Sequence, residues 1–369
     1  MTPTRHGLII GKFHPPHAGH ELLVRTAARA ARRVSVLVLG HPHETLSVDE
    51  RVAWLAEMVA DLPQVVVAGG IDPHPIDYDD PAVWDLHERE FRTVLATVTD
   101  EPVTAVFSSE IYGAELARRF DAVSVPVDPE RALVPVSATQ VREDPVAAWH
   151  HMPSPVRAGL CRRVVVIGAE STGTTTVARA LTDGLRARGG PHGDTQWVPE
   201  VGRAWTVTKL ADAAAAAALA GRPRPTLDDL AWPTDDFVAI AAQQNADEDR
   251  RARRGGPVLV CDTDAFATGI WHERYVGEPS SDVEALARHH PLYLLTHHEG
   301  VPFAQDGIRD GEHVRAWMTD RFLEALTATG RRTVVLRGTF DQRMTQAVAA
   351  VDDLLAEGWD LSIAPPAFT

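Results

Sequence analysis

Gly11-Lys12-Phe13-His14-Pro15-Pro16-His17-Ala18-Gly19-His20 follows an apolar run, His6–Ile10, and opens a helical pattern, Glu21–Ala31. That order of strand, glycine, turn and helix decides the fold. A helix N-terminus presents free amides and about half a positive charge, a natural seat for phosphate. Gly11 and Gly19 let the backbone approach a ligand closely. His17 and His20 are three apart and share a face of the first helical turn, so both rings can donate to the same phosphates. Taken alone, the stretch also fits a Pro-rich turn with two surface histidines. The strand, the glycines and His-x-Gly-His arriving in order favour the anion site.

Outward from this stretch, strands are expected at Val34–Leu39, Val65–Ala68, Thr104–Phe107 and Val123–Val125, with helices at Val48–Ala60 and Val83–Val98 between them. Such alternation predicts an α/β fold with a parallel sheet and crossover helices. The proline-interrupted stretch His150–Leu160 reads as a linker. The pattern then restarts at Arg163–Ile167, with later strands expected at Val258–Cys261, Leu292–Leu295 and Thr333–Leu336. Ala211–Gly221, almost pure alanine, is helix by propensity. The expectation is two α/β domains, residues 1–155 and 156–369.

A formal net charge of -15 repels polyanions, and no long Lys/Arg run relieves it, so nucleic acid is not an expected partner. Two cysteines a hundred positions apart, Cys161 and Cys261, make neither a disulfide framework nor a zinc pattern. No apolar run approaches the ~18 residues of a membrane span, and no secretory segment is visible. A cytoplasmic protein without membrane partners is expected. Lys12 and Lys209 are the only two lysines.

A second signal, Pro135-Val136-Ser137-Ala138-Thr139-Gln140-Val141-Arg142, lies near the end of the first domain. Ser137 or Thr139 can cap a helix and offer amides and hydroxyls to an anion, with Arg142 one turn along. With these residues in view, the first domain resembles the nucleotidyltransferases that carry His-x-Gly-His and Ser-x-Thr-x-x-Arg. More closely it resembles the adenylyltransferase half of NadR-type bifunctional proteins. The similar stretches include Ser47-Val48-Asp49-Glu50-Arg51, Phe107-Ser108-Ser109-Glu110-Ile111-Tyr112-Gly113 and Val127-Asp128-Pro129-Glu130-Arg131. The resemblance implies a Rossmann-like nucleotidyltransferase that transfers AMP from ATP to nicotinamide mononucleotide, giving NAD and pyrophosphate. It implies His17, His20, Lys12 and Arg142 as catalytic residues, and Gly11, Phe13, Gly19, Ser137 and Thr139 as nucleotide contacts, with Mg2+ bridging phosphate oxygens. Trp84 is a candidate platform for the nicotinamide ring; a core position is the alternative.

In the second half, Gly168-Ala169-Glu170-Ser171-Thr172-Gly173-Thr174-Thr175-Thr176 follows a strand and has P-loop spacing. Gly168, Glu170, Ser171, Gly173, Thr174 and Thr176 would cradle phosphates, and Thr175 fills the Mg2+-binding hydroxyl position. The expected lysine is Thr174. Val258-Leu259-Val260-Cys261-Asp262-Thr263-Asp264 reads as a strand ending in carboxylates, with Asp262 a metal ligand and Asp262 and Asp264 candidate catalytic groups. Pro302–Asp310 is a loop suited to bring Arg309 onto phosphates. This half resembles the NadR-type riboside kinase, which implies a P-loop NTPase-type kinase domain acting on nicotinamide riboside. Lys209, Arg203 or Arg309 is expected to supply the missing charge. Two alternatives stay open: a second domain that senses nucleotide without catalysis, and a first domain that adenylylates another phosphate such as phosphopantetheine. The first strand begins by about His6, which leaves no expected room for an N-terminal DNA-binding domain.

Overall fold

Leu8, Ile9 and Ile10 follow one another in the first strand and all are buried, which requires cover on both faces of the sheet. The computed structural model describes residues 4–77, 79–305 and 311–363. Its first unit runs β1 (Thr4–Gly11), α1 (Ala18–Ala30), β2 (Ala31–Gly40), α2 (Val48–Met58), β3 (Val65–Ile71), α3 (Pro81–Ala96), β4 (Ala105–Ser108), α4 (Gly113–Arg119), β5 (Val123–Pro126) and α5 (Ala138–Glu143). The sheet order is β3-β2-β1-β4-β5, with every pair parallel. Ile9, Val36 and Val38 pack on Leu23, Val24, Ala27 and Leu55 of α1 and α2. Leu8, Ile10, Leu37 and Leu39 pack on Phe91, Val94 and Leu116 of α3 and α4. β1 is flanked by β2 and β4, so chain order reverses there. Open α/β sheets take ligands in the crevice beyond the carboxyl ends of such strands. Gly11–His20 starts in that crevice.

His150–Leu160 is not the linker expected from its prolines. Trp149 is fully buried, Met152 and Val156 nearly so, and α6 (Ser154–Leu160) forms within the stretch. Pro155 stands in the first turn, where a missing N–H costs no helical hydrogen bond. The Trp359 ring lies 6.3 Å from that of Trp149. One compact unit accordingly spans Met1–Gly159 and takes the chain back from Trp359, whereas the other spans Leu160–Gly358. The division at 1–155 and 156–369 did not anticipate this return.

The second unit runs β6 (Arg162–Gly168), α7 (Thr174–Arg186), β7 (Gln196–Val198), α8 (Val201–Leu219), α9 (Thr234–Ala252), β8 (Val258–Asp262), α10 (Ala265–Val276), α11 (Ser281–Glu284), β9 (Leu292–Thr296), α12 (Arg315–Ala328), β10 (Thr333–Leu336) and α13 (Phe340–Ala356). Its parallel sheet has the order β10-β9-β6-β8-β7. Val164 and Val166 of the central β6 pack with Val177, Leu181 and Leu185 of α7. The edge strand β7 is too short to show a period in sequence. α8 begins at Val201, well before its alanine run. Among the described residues no helix is long and apolar enough to cross a membrane.

Candidate functional site

At the end of β1 the backbone turns through Phe13, which has φ +50, and α1 starts with His17 as its N-cap. His17 Nδ1 accepts from the Gly19 amide at 3.1 Å, and His20 Nδ1 accepts from the His17 amide at 3.2 Å. With both Nδ1 atoms accepting, a neutral ring carries its proton on Nε2, so each imidazole keeps one N–H to donate. The rings stack with centroids 3.8 Å apart, and Phe13 meets His20 edge-on at 4.8 Å. Burial comes first in holding His17 down to about 4, followed by Arg131, His151 and Arg142. His20 is pushed well below the usual range by burial, His17 and Arg131. These rings are neutral donors at physiological pH.

The second motif closes on the first. Ser137 caps α5 through the Gln140 amide, and Gln140 returns a bond to the Ser137 amide. Arg142 Nη1 donates to the His14 carbonyl at 2.8 Å and Nη2 to Thr139 Oγ1 at 3.0 Å. A Cβ on Gly19 would lie 3.0 Å from the His17 ring and 3.8 Å from the Val136 carbonyl, so glycine lets these two segments approach. Lys12 Nζ binds Glu44 Oε1 at 2.8 Å; Glu44 binds Arg51 Nη2 at 2.8 Å, and Arg51 Nη1 donates to the Lys12 carbonyl at 2.7 Å. Beyond the ends of β4 and β5 opens a cavity of about 320 Å³, lined in part by Ser108, Glu110, Ser124, Pro129 and Arg131. Arg131 and His151, both facing His17 electrostatically, were not among the expected site residues. Arg131 was legible in the run Val127–Arg131, whereas His151 was hidden in the supposed linker.

Two expectations for this unit change. The Phe13 side chain is buried in the core with Leu23 and Val24 and shapes the turn, which leaves its backbone as the part open to a nucleotide. Trp84 is buried in α3, and the Arg119 guanidinium stands 5.4 Å over its ring. A face expected to receive a nicotinamide is thus already covered.

In the second unit Gly173, with φ +89, is the N-cap of α7. The preceding loop is held by its carbonyls. Arg343 Nη1 donates to Thr172 O at 2.9 Å, and Arg315 Nη2 to Ser171 O at 3.2 Å. No spacing in the sequence announced these arginines. The Glu170 carboxylate accepts from the Gly311 amide at 2.6 Å, and Ser171 Oγ from the Ala304 amide at 2.7 Å, so both side chains secure loops. The Thr175 and Thr174 hydroxyls donate to Asp262, whose carboxyl is pushed up to about 6 by burial. Thr176 is exposed.

Asp264 is not the second catalytic carboxylate expected. It is fully buried, caps α10 through the Ala267 amide at 2.9 Å and accepts from Tyr293 Oη at 2.9 Å. Lys209 pairs with Asp236 and lies 4.9 Å over the Trp232 ring, so its charge is committed within α8 and α9. Arg203 is exposed on α8. Arg309 lies outside the described residues. Among the described residues no cluster of three or more His, Cys, Asp or Glu side chains suits a metal. One hydroxyl and one carboxylate do fit Mg2+, which keeps several waters and takes phosphate oxygens.

A nucleotidyltransferase-like unit followed by a P-loop unit is the class that these folds define. A cytidylyltransferase-like family model matches residues 8–144, and an AAA domain model matches residues 163–343. The chain is NadR-like along its length. It is 23% identical over 372 residues to the trifunctional NAD biosynthesis/regulator protein NadR of Salmonella typhimurium (strain LT2), covering 95% of this chain and 83% of that protein. The fold matches a crystal structure of NadR protein in complex with NR, at TM-score 0.66 and 21% identity, covering 100% of this chain and 99% of that one. A NadR structure in complex with NAD and AMP-PNP gives the same TM-score and identity over 99% of this chain and 98% of that one.

Proposed function

We propose that the first unit transfers AMP from ATP to nicotinamide mononucleotide, releasing NAD and pyrophosphate. The observation that carries this reading is the bond from Arg142 to the His14 carbonyl, which brings both phosphate-binding motifs to the end of β1. The acceptor's phosphate oxygen is already ionised, so no general base is needed. It attacks the α-phosphorus, the bond to the bridging oxygen breaks, and negative charge collects on pyrophosphate. His17 and His20 donate their Nε2–H groups to that charge, with Arg142, Lys12, Ser137 and Thr139 along the triphosphate. NAD biosynthesis in the name of the Salmonella relative supports the choice of acceptor.

The second unit, in this reading, phosphorylates nicotinamide riboside and so supplies the first with substrate. Loop amides would hold the phosphates, and Thr175 and Asp262 would hold Mg2+, which would supply charge neutralisation at the phosphates. The NadR complexes with NR and with AMP-PNP support these ligands. Thr174, standing in the usual lysine position, favours a second reading in which this unit binds nucleotide and regulates the first.

Purified protein given ATP, Mg2+ and nicotinamide riboside should form NAD, ADP and pyrophosphate. If NAD forms only when the mononucleotide is fed, the second unit is the regulatory module. If no pyrophosphate appears with the mononucleotide, the adenylyl-transfer reading fails.

A further inference from the structure

The chain leaves the second unit at Gly358 and its next residues pack with the first. Trp359 meets Trp149, and Leu361 is buried at 5% exposure. The Ser362 carbonyl accepts from the Thr45 amide at 3.2 Å and from Thr45 Oγ1 at 3.3 Å. Thr45 adjoins Glu44, the carboxylate that grips both Lys12 and Arg51.

From this geometry we infer that residues 359–362 are a positioning strap for the adenylyl-transfer site, with Leu361 its anchor. The strap holds the loop after β2 through Thr45, which fixes Glu44 and, through it, the Lys12 ammonium. The Lys12 arm of the site thus rests on a stretch far downstream in the chain, Ser362 standing 317 positions after Thr45. Nothing in the catalytic chemistry requires Leu361 or Ser362 to touch substrate. Their effect passes through Thr45 and Glu44 to Lys12. The inference rests on the first unit being the transferase.

The test is steady-state pyrophosphate release by the full chain with ATP and nicotinamide mononucleotide. Leu361→Asp should raise KM for ATP about tenfold, the effect of misplacing one charge-assisted contact, and Leu361→Met should restore it. Thr45→Val, at an exposed position, should shift KM in the same direction and less. Lys12→Ala combined with Leu361→Asp should be no worse than Lys12→Ala alone, because residues acting in one chain of contacts are not additive. Amide exchange at residues 41–46 should quicken in Leu361→Asp, read without any turnover. Wild-type kinetics and exchange in Leu361→Asp, or losses that simply multiply with Lys12→Ala, would overturn the strap. Absence of pyrophosphate release by the unaltered chain would instead overturn the transferase reading, and exchange would still decide the strap.

Discussion

The Arg142 guanidinium donates to the His14 carbonyl across 128 positions of sequence, at 2.8 Å. This bond brings the two motifs together as one proposed anion site, because it seats α5 beside the start of α1. A backbone carbonyl as partner leaves the imidazoles of His17 and His20 unencumbered by the arginine. A carboxylate in that place would have competed with phosphate for the same guanidinium.

His17→Ala and His20→Ala should each lower kcat for pyrophosphate release about 100- to 1000-fold, as loss of a preorganised donor does. Because burial holds His17 down to about 4, kcat should show no imidazole break between about pH 5 and 8. A pH–rate profile with a break near the ordinary histidine value would contradict neutral-donor catalysis.

Acid should weaken the first unit for the same reason. His14 and His17 stay neutral to about 4 when folded, against 6.5 in the unfolded chain. Below 6.5 the unfolded chain takes up protons that the folded state refuses. Their contribution is therefore full above 6.5 and is lost as pH falls toward 4. Denaturant titrations of wild type and His14→Gln at pH 7 and pH 5 should show a smaller pH dependence in the variant.

In the second unit, Asp262→Asn and Thr175→Ala should lower ADP release about 100-fold, whereas Asp264→Asn should keep most of it. Asn is an adequate N-cap, and the Asp264 carboxylate is committed to the Ala267 amide and the Tyr293 hydroxyl. Equal losses in Asp262→Asn and Asp264→Asn, at matched melting temperature, would restore Asp264 to the catalytic set.

Glu248 is fully buried and pushed up to about 8, by burial first and then by Asp264, with His290 Nε2 at 3.4 Å. Unfolded, it ionises near 4.5, so its neutral folded form favours the fold at low pH and this advantage is lost as pH rises toward 8. Glu248→Gln should consequently melt several degrees above wild type at pH 8.5 and show little gain at pH 5. Calorimetry of the two proteins at both values checks this.

Trp84→Phe should leave KM for nicotinamide mononucleotide unchanged, since Arg119 covers the ring. Trp84→Ala should cost about 3–5 kcal/mol of stability, as emptying a buried tryptophan site does.

What could be read from the sequence was what is local. Gly11–His20 declares itself because strand end, glycines and helix start lie within ten residues, and Gly168–Thr175 does so for the same reason. Asp264 misled because a helix N-cap and a catalytic carboxylate look alike in one dimension; only its partners, the Ala267 amide and the Tyr293 hydroxyl, separate it from Asp262, which faces the loop threonines. The His150–Leu160 stretch misled because proline at a helix start resembles proline in a loop, and only the burial of Trp149 and Val156 distinguishes the two. Arg315 and Arg343 were invisible because they act on loop carbonyls more than 100 residues away.

The polypeptide passes between its two units twice, after Gly159 and again after Gly358. In a simple tandem fusion, one gene fission or one protease nick at the junction would liberate two complete enzymes. Here either break would part the earlier unit from the Trp359–Leu361 stretch that packs with it, so neither fragment pair is a clean division.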